Sequence, residues 1–159
     1  MTATPAFAQW SLHSPLGDLT LTEEDGAIVS VDWGRGPSQY QHETPLLVKA
    51  TRQLDDYFDG KLTRFDLPLR PSGTAFAASV WALMQDIPYG ETRTYGDLAK
   101  ALDCSAQAVG SACGANPIPI IIPCHRVTGA KGRLVGYSGQ GGTETKRRLL
   151  ALEAPPLFS

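Results

Sequence analysis

Between Pro117 and Pro123 three prolines and four isoleucines fill seven consecutive positions. Proline fixes φ and brings no N–H, so this run can enter neither a helix interior nor a central strand. Ile120, Ile121 and Ile122 are too few for a helix and suit a buried, strand-like stretch. Such a stretch delivers Cys124, the residue after Pro123, to the bottom of a pocket. A buried cysteine is often only a small hydrophobe. Here His125 follows it, and a thiolate beside a base is what nucleophilic catalysis needs. Adjacent side chains on regular backbone point apart, so His125 is expected to act through a water or an unusual turn.

The rest of the chain is ordinary enough to hold such a site in one domain or two small ones. Of 159 residues 42 % are hydrophobic and 19 % charged, and a chain of that length builds a core without disulfide or metal staples. Cys104, Cys113 and Cys124 cannot all pair, none stands in a Cys-x-x-Cys spacing, and no metal site is expected. Free cysteines favour a reducing setting. No basic flank with an apolar run opens the chain, and no stretch of about 18 apolar residues occurs, so neither export nor a membrane span is expected. The expected location is cytoplasmic, or nuclear in a eukaryote. Net charge is -2, divided as -4 over residues 1–73 and +2 over residues 74–159, so a polyanion would meet the rear half.

The fold expected is α+β. Residues 1–73 read as a small sheet-plus-helix domain and residues 74–159 as a mostly helical one. Leu19 and Leu21, then Ile28, Val29, Val31 and Trp33, flank the break Glu23–Gly26 as a hairpin. Thr44 and Pro45 open a helix carrying Leu46, Leu47, Ala50, Leu54, Tyr57 and Phe58 to Gly60, which covers one sheet face. Phe65, Leu67 and Leu69 alternate as an edge strand, and Arg70–Gly73 reads as a linker. In the rear half Phe76, Val80, Trp81 and Met84 form one helical stripe. Thr94 caps a helix Tyr95–Leu102, and Ser105 caps another from Ala106 to about Ala115, a helix-turn-helix candidate. The second helix is built of Ala106, Ala108, Gly110, Ser111, Ala112, Gly114 and Ala115, with Gln107, Val109 and Cys113 larger. Small residues permit either a close helix–helix contact or entry into a minor groove about 6 Å wide.

The ordered set Val80-Trp81, Ile87-Pro88-Tyr89-Gly90, Thr94-Tyr95, Leu98-Ala99, Asn116-Pro117, Pro123–Val127, Gly136–Gly139, Lys146, Leu149-Leu150 and Glu153 resembles the O6-alkylguanine-DNA alkyltransferases. The front half agrees with that family only in layout. It has no cysteine, so the zinc that some members hold there is not expected, nor is any other cofactor. The resemblance implies single-turnover transfer of an alkyl group from O6 of guanine in DNA to Cys124. Attack on saturated carbon needs a soft, strong nucleophile, and the thioether product cannot be hydrolysed back. It further implies that His125 relays the thiol proton through water to Glu153. Tyr95 and the Ser138 backbone would assist the departing base. Asn116 would tie the helix-turn-helix to the cysteine segment, and Val127 would present a carbonyl to the base amino group. Tyr137 to Gly142 would form a glycine-rich lid.

The implied partner is double-stranded DNA containing O6-alkylguanine, bound in the minor groove with the nucleotide flipped out, at a cost of a few kcal/mol. Ala106, Gln107, Ala108, Gly110 and Ser111 form the expected DNA surface, with Arg126 as a phosphate contact or, alternatively, a structural ion-pair partner. Gln107 stands where the family has an arginine that fills the vacated stack, which implies weaker extrusion. Phosphate contacts are expected from backbone amides at helix starts and a few of Arg126, Lys131, Arg133, Lys146, Arg147 and Arg148, the run Lys146–Arg148 reading more often as a solvated helix face than as a site. A monomer is expected. Two other readings are a damage-binding protein that accepts no alkyl group, and a cysteine hydrolase using Cys124 and His125.

Overall fold

The computed structural model describes residues 7–134 and 142–154. The chain divides into two compact units, Met1–Ser72 and Gly73–Ser159. The architecture is α+β.

The first unit is an antiparallel meander of β1 (Phe7–Leu12), β2 (Leu19–Glu24) and β3 (Ala27–Trp33). The β2–β3 hairpin turns on Asp25 and Gly26, both at positive φ (49° and 83°), the geometry that matches strand twist and favours an Asp-Gly pair. β1 was not expected from the sequence. Its Ser11 is buried because the loop after β3 covers it: the Ser11 hydroxyl accepts the Gly36 N–H (3.0 Å), and its own N–H donates to Gln41 Oε1 (2.8 Å). Helix α1 (Pro45–Phe58) begins at Thr44, whose hydroxyl accepts the Leu47 N–H (3.0 Å) and donates to buried Glu23 (2.5 Å). Leu47, Ala50, Leu54 and Tyr57 are fully buried on its inner face, and α1 packs on β1 and β2 as anticipated. The expected edge strand at Phe65–Leu69 is not formed. Only one parallel bridge joins Leu69 to Ile28, with Ile28 N–H donating to Pro68 O (2.8 Å) and Arg70 N–H to Ile28 O (2.9 Å). Pro68 and Pro71 have no N–H to extend the ladder.

The second unit opens with α2 (Ala75–Gln85), capped by Thr74. Its buried stripe is Ala77, Val80, Trp81 and Met84; Phe76 lies beside that stripe and is 38 % exposed, contrary to expectation. Then come β4 (Arg93–Thr94), α3 (Tyr95–Leu102) and α4 (Ala106–Gly114), with α3 and α4 packed on each other and on α2. Both caps are as expected. Thr94 and Asp97 form a reciprocal capping box, and the Ser105 hydroxyl accepts the Ala108 N–H (3.1 Å). Asp103, at φ 53°, makes the left-handed bend between the helices. Trp81 Nε1–H donates to Ala112 O (2.9 Å), fixing α4 to α2. β5 (Val127–Thr128) pairs in parallel with β4, and α5 (Thr143–Glu153) closes the described chain.

Candidate active site

The isoleucine segment is buried as expected but is not a strand. From Ile118 to Ile122 it winds through tight turns, with Ile122 N–H donating to Ile118 O (2.9 Å), Ile121 N–H to Pro119 O (2.9 Å), and Ile120 at φ 74°. Prolines at alternate positions deny a partner strand its hydrogen bonds, so the peptide groups satisfy one another locally. Asn116 locks these turns to the end of α4: its Nδ2–H donates to Ile122 O (2.9 Å) and its Oδ1 accepts the Ile118 N–H (2.9 Å). The same side chain hydrogen-bonds the sulfur of Cys124.

Cys124, His125 and Arg126 form a single 3-10 turn. Cys124 is 7 % exposed and His125 fully buried. His125 Nε2 lies 2.6 Å from Glu153 Oε2. Arg126 Nε donates to Glu153 Oε1 (2.7 Å) and its Nη2 to Oε2 (3.0 Å), while Nη1 donates to Ile87 O (2.8 Å). The guanidinium keeps Glu153 ionised, so the carboxylate accepts from the imidazole and the proton resides on Nε2. Nδ1 is then a lone pair, buried and without a partner among the described residues. Burial pushes the His125 pKa down, against the pull of Glu153, so the ring is neutral at pH 7.

The structure corrects the reading of Arg126. Its side chain is 8 % exposed and consumed by Glu153 and Ile87, so it is an internal ion-pair partner and offers nothing to a phosphate. Lys146 is corrected in the opposite sense. Expected on a solvated face, it is fully buried, with Nζ 3.4 Å from the Tyr95 hydroxyl and 5.5 Å from the Tyr95 ring centroid. Burial lowers its pKa, while Cys124 and Cys113 raise it. In turn burial raises the Cys124 pKa, and the Asn116 hydrogen bond and the Lys146 charge lower it. A signal for this lysine existed: Lys146, Leu149 and Glu153, spaced by three and four, share one stripe of α5, and all three are buried. Tyr95, at the start of α3, has its pKa pushed up to about 12, first by burial and then by Cys113 and Cys124, so its hydroxyl keeps its proton.

Val127 is fully buried at the start of β5, directly after the Cys124–Arg126 turn. Tyr137, Ser138 and the stretch to Gly141 lie outside the described residues. On α4, Ala106, Gln107 and Ser111 are exposed and Ala108 and Gly110 partly so. A methyl group added at Gly110 or Gly114 would meet open space, so this face presents backbone with few side chains.

Two family descriptions match. Residues 10–71 fit the 6-O-methylguanine DNA methyltransferase ribonuclease-like domain, and residues 75–155 fit the DNA binding domain of the same proteins. A methylated-DNA--protein-cysteine methyltransferase of Methanosarcina acetivorans is 43 % identical over 149 residues, covering 89 % of this chain and 94 % of the relative. The constitutive methyltransferase of Bacillus subtilis is 42 % identical over 152 residues, covering 89 % and 92 %. The crystal structure of Mycobacterium tuberculosis OGT in complex with DNA superposes with a TM-score of 0.82 at 42 % identity, covering 93 % of this chain and 95 % of that one.

Proposed function

The chain belongs to the 6-O-methylguanine DNA methyltransferase family, and from that premise we propose how its own residues carry out direct reversal of DNA alkylation. The observation that carries the reading is the buried His125, held through Nε2 by Glu153 with Nδ1 unpartnered, in the same turn as Cys124. A bridging water would carry the Cys124 proton to that lone pair. The thiolate attacks the alkyl carbon on O6 of guanine, the carbon–oxygen bond breaks, and its electron pair leaves with the base. A carbon–sulfur bond has formed and no group regenerates the thiol, so each molecule reacts once.

Glu153 and Arg126 are positioning residues. They hold the imidazole in the tautomer that can accept the proton. Lys146 supplies positive charge near a sulfur that burial would otherwise keep protonated, and Tyr95 supplies a hydroxyl donor toward the departing base. Asn116 holds the cysteine turn to α4. Val127 and Ser138 are assigned the base-facing roles that the family resemblance implies.

The substrate is O6-alkylguanine in double-stranded DNA, approached through the minor groove by the bare face of α4, with the nucleotide rotated out. Ala106, Ala108, Gly110 and Ser111 let the helix sit close, and Gln107 is the side chain that enters the vacated position. The protein acts as a monomer in the compartment that holds the DNA, the cytoplasm in a bacterium or archaeon.

Incubation with duplex DNA carrying radiolabelled O6-methylguanine tests this. Label transferred to protein in a one-to-one ratio and mapped to Cys124 supports the proposal. Tight binding with unchanged DNA would instead identify a damage binder, and repeated turnover of an ester without labelled protein would identify a hydrolase.

A further inference from the structure

Ile87-Pro88-Tyr89-Gly90 leads from α2 toward β4, and its shape follows from its residues. The Glu91 N–H donates to Pro88 O (3.1 Å), closing a β-turn, and Gly90 takes the position at φ 83° that a residue with a side chain holds only under strain. Tyr89 is the half-buried residue at the corner.

This turn grips the Arg126–Glu153 pair from both ends. On the arginine side, Nη1 donates to Ile87 O (2.8 Å), and the guanidinium carbon lies 5.8 Å from the centroid of the Tyr89 ring, within reach of cation–π attraction. On the carboxylate side, the Tyr89 hydroxyl donates to Leu152 O (3.3 Å), and a Cβ built on Gly90 would lie 3.5 Å from Glu153 O. Leu152 O is one of the terminal carbonyls that a helix cannot satisfy from within. Such an anchor matters because Glu153 is the last residue of α5, and helix ends fray. Its Oε2 must also accept from both His125 Nε2 (2.6 Å) and Arg126 Nη2 (3.0 Å), so a slip of either partner disturbs the imidazole.

We propose that Tyr89 is a positioning residue for alkyl transfer: its ring and hydroxyl hold Arg126 and the end of α5 in the register at which Glu153 keeps the His125 proton on Nε2 and leaves Nδ1 to receive the thiol proton. The role rests on His125 being the base for Cys124. The charged groups acting on His125 are Glu153 and Lys146 from α5 and Arg126 from its own turn; α2, which also packs on that turn, carries no titratable side chain. Glu153 raises the His125 pKa and Arg126 lowers it, so an arginine slackened away from the carboxylate lets that pKa rise.

The test compares full-length wild type, Tyr89→Leu and Tyr89→Phe in single-turnover reactions with saturating duplex carrying O6-methylguanine, across the pH range where histidine titrates, and by nitrogen NMR of the His125 ring. Tyr89→Leu should slow the step at saturating duplex by at least about tenfold with duplex affinity unchanged. Its acid limb should move to higher pH, and its His125 should mix tautomers where the wild type shows one Nε2–H form. Tyr89→Phe keeps the ring, so it should restore the acid limb and retain about a threefold loss for the missing hydroxyl. A lowered thermal midpoint in Tyr89→Leu, with acid limb and tautomer both unmoved, would make Tyr89 a packing residue and overturn the proposal. Should Tyr89→Leu fail to fold, Tyr89→Phe decides: the threefold loss supports the role and a full wild-type rate overturns it. A wild type that takes no methyl group onto Cys124 would defeat the functional reading instead, and the tautomer comparison would still judge Tyr89.

Discussion

At Lys146 a buried ammonium lowers the proton affinity of the Cys124 sulfur, from which it is distant in sequence. Removing it leaves burial, which favours the thiol, opposed only by neutral hydrogen bonds from Asn116 and the backbone. Lys146→Met should therefore raise the Cys124 thiol pKa and lower the thiolate fraction at neutral pH. The pH profile of iodoacetamide reaction, read by mass spectrometry, checks this, and Lys146→Arg should recover most of the shift by keeping the charge. His125 makes a second prediction. Its folded pKa lies below the ordinary 6.5, so between those two values the unfolded chain binds a proton that the folded chain refuses. Stability is then fully present above about pH 6.5 and declines as pH falls toward the folded pKa. Urea midpoints measured at pH 7.5 and 5.5 should separate, and His125→Asn should reduce the separation. An unchanged difference in that variant would assign the acid loss to other groups.

Among the elements, α4 buries little apolar surface. Val109, Ala112 and Cys113 are its only buried residues, so it is held by its Ser105 cap and by Trp81 reaching the Ala112 carbonyl rather than by a broad apolar face. The outer face is open at Gly110. A Cβ at Gly110 meets nothing within 4 Å, so Gly110→Leu should add helix propensity, up to about 1 kcal/mol. Against DNA the same leucine should block close approach. Duplex repair should fall by at least tenfold, about 1.4 kcal/mol, while the thermal midpoint and the reaction of Cys124 with a free alkylated base stay near wild type. These elements were largely legible beforehand: Thr44, Thr94 and Ser105 cap where their short polar side chains precede an apolar stripe, because capping is a local interaction within one turn. The failures were equally physical. Phe65–Leu69 alternates like a strand but is interrupted by Pro68, which has no N–H for a ladder, and Ile118–Ile122 satisfies itself in turns.

For the whole molecule, the charge distribution limits how DNA is held. Residues from Cys104 onward hold six Lys or Arg, but Lys146 and Arg126 are buried, leaving few cations for phosphates. Duplex affinity should show a shallow salt dependence, because its slope counts the phosphates neutralised. Titrations of a fluorescent duplex between low and physiological salt measure it. Gln107→Arg should both steepen that slope by about one unit and raise the repair rate on duplex relative to single strands, since a planar cation stacks and attracts phosphate where glutamine does neither. Equal rates for the two proteins on duplex would remove Gln107 from the extrusion step.

The order of residues along the chain was enough to specify caps, turns, the division into two kinds of sequence and the presence of a cysteine followed by a histidine. Each of these depends on neighbours within a few positions, or on motifs read in order. What tertiary structure alone decided is the pairing across the second unit. Arg126 faces Glu153 instead of solvent, and Lys146 turns inward toward Tyr95. Burial strengthens every one of those charges and changes its proton affinity, and burial is a property of the packed chain that no local stretch of sequence contains.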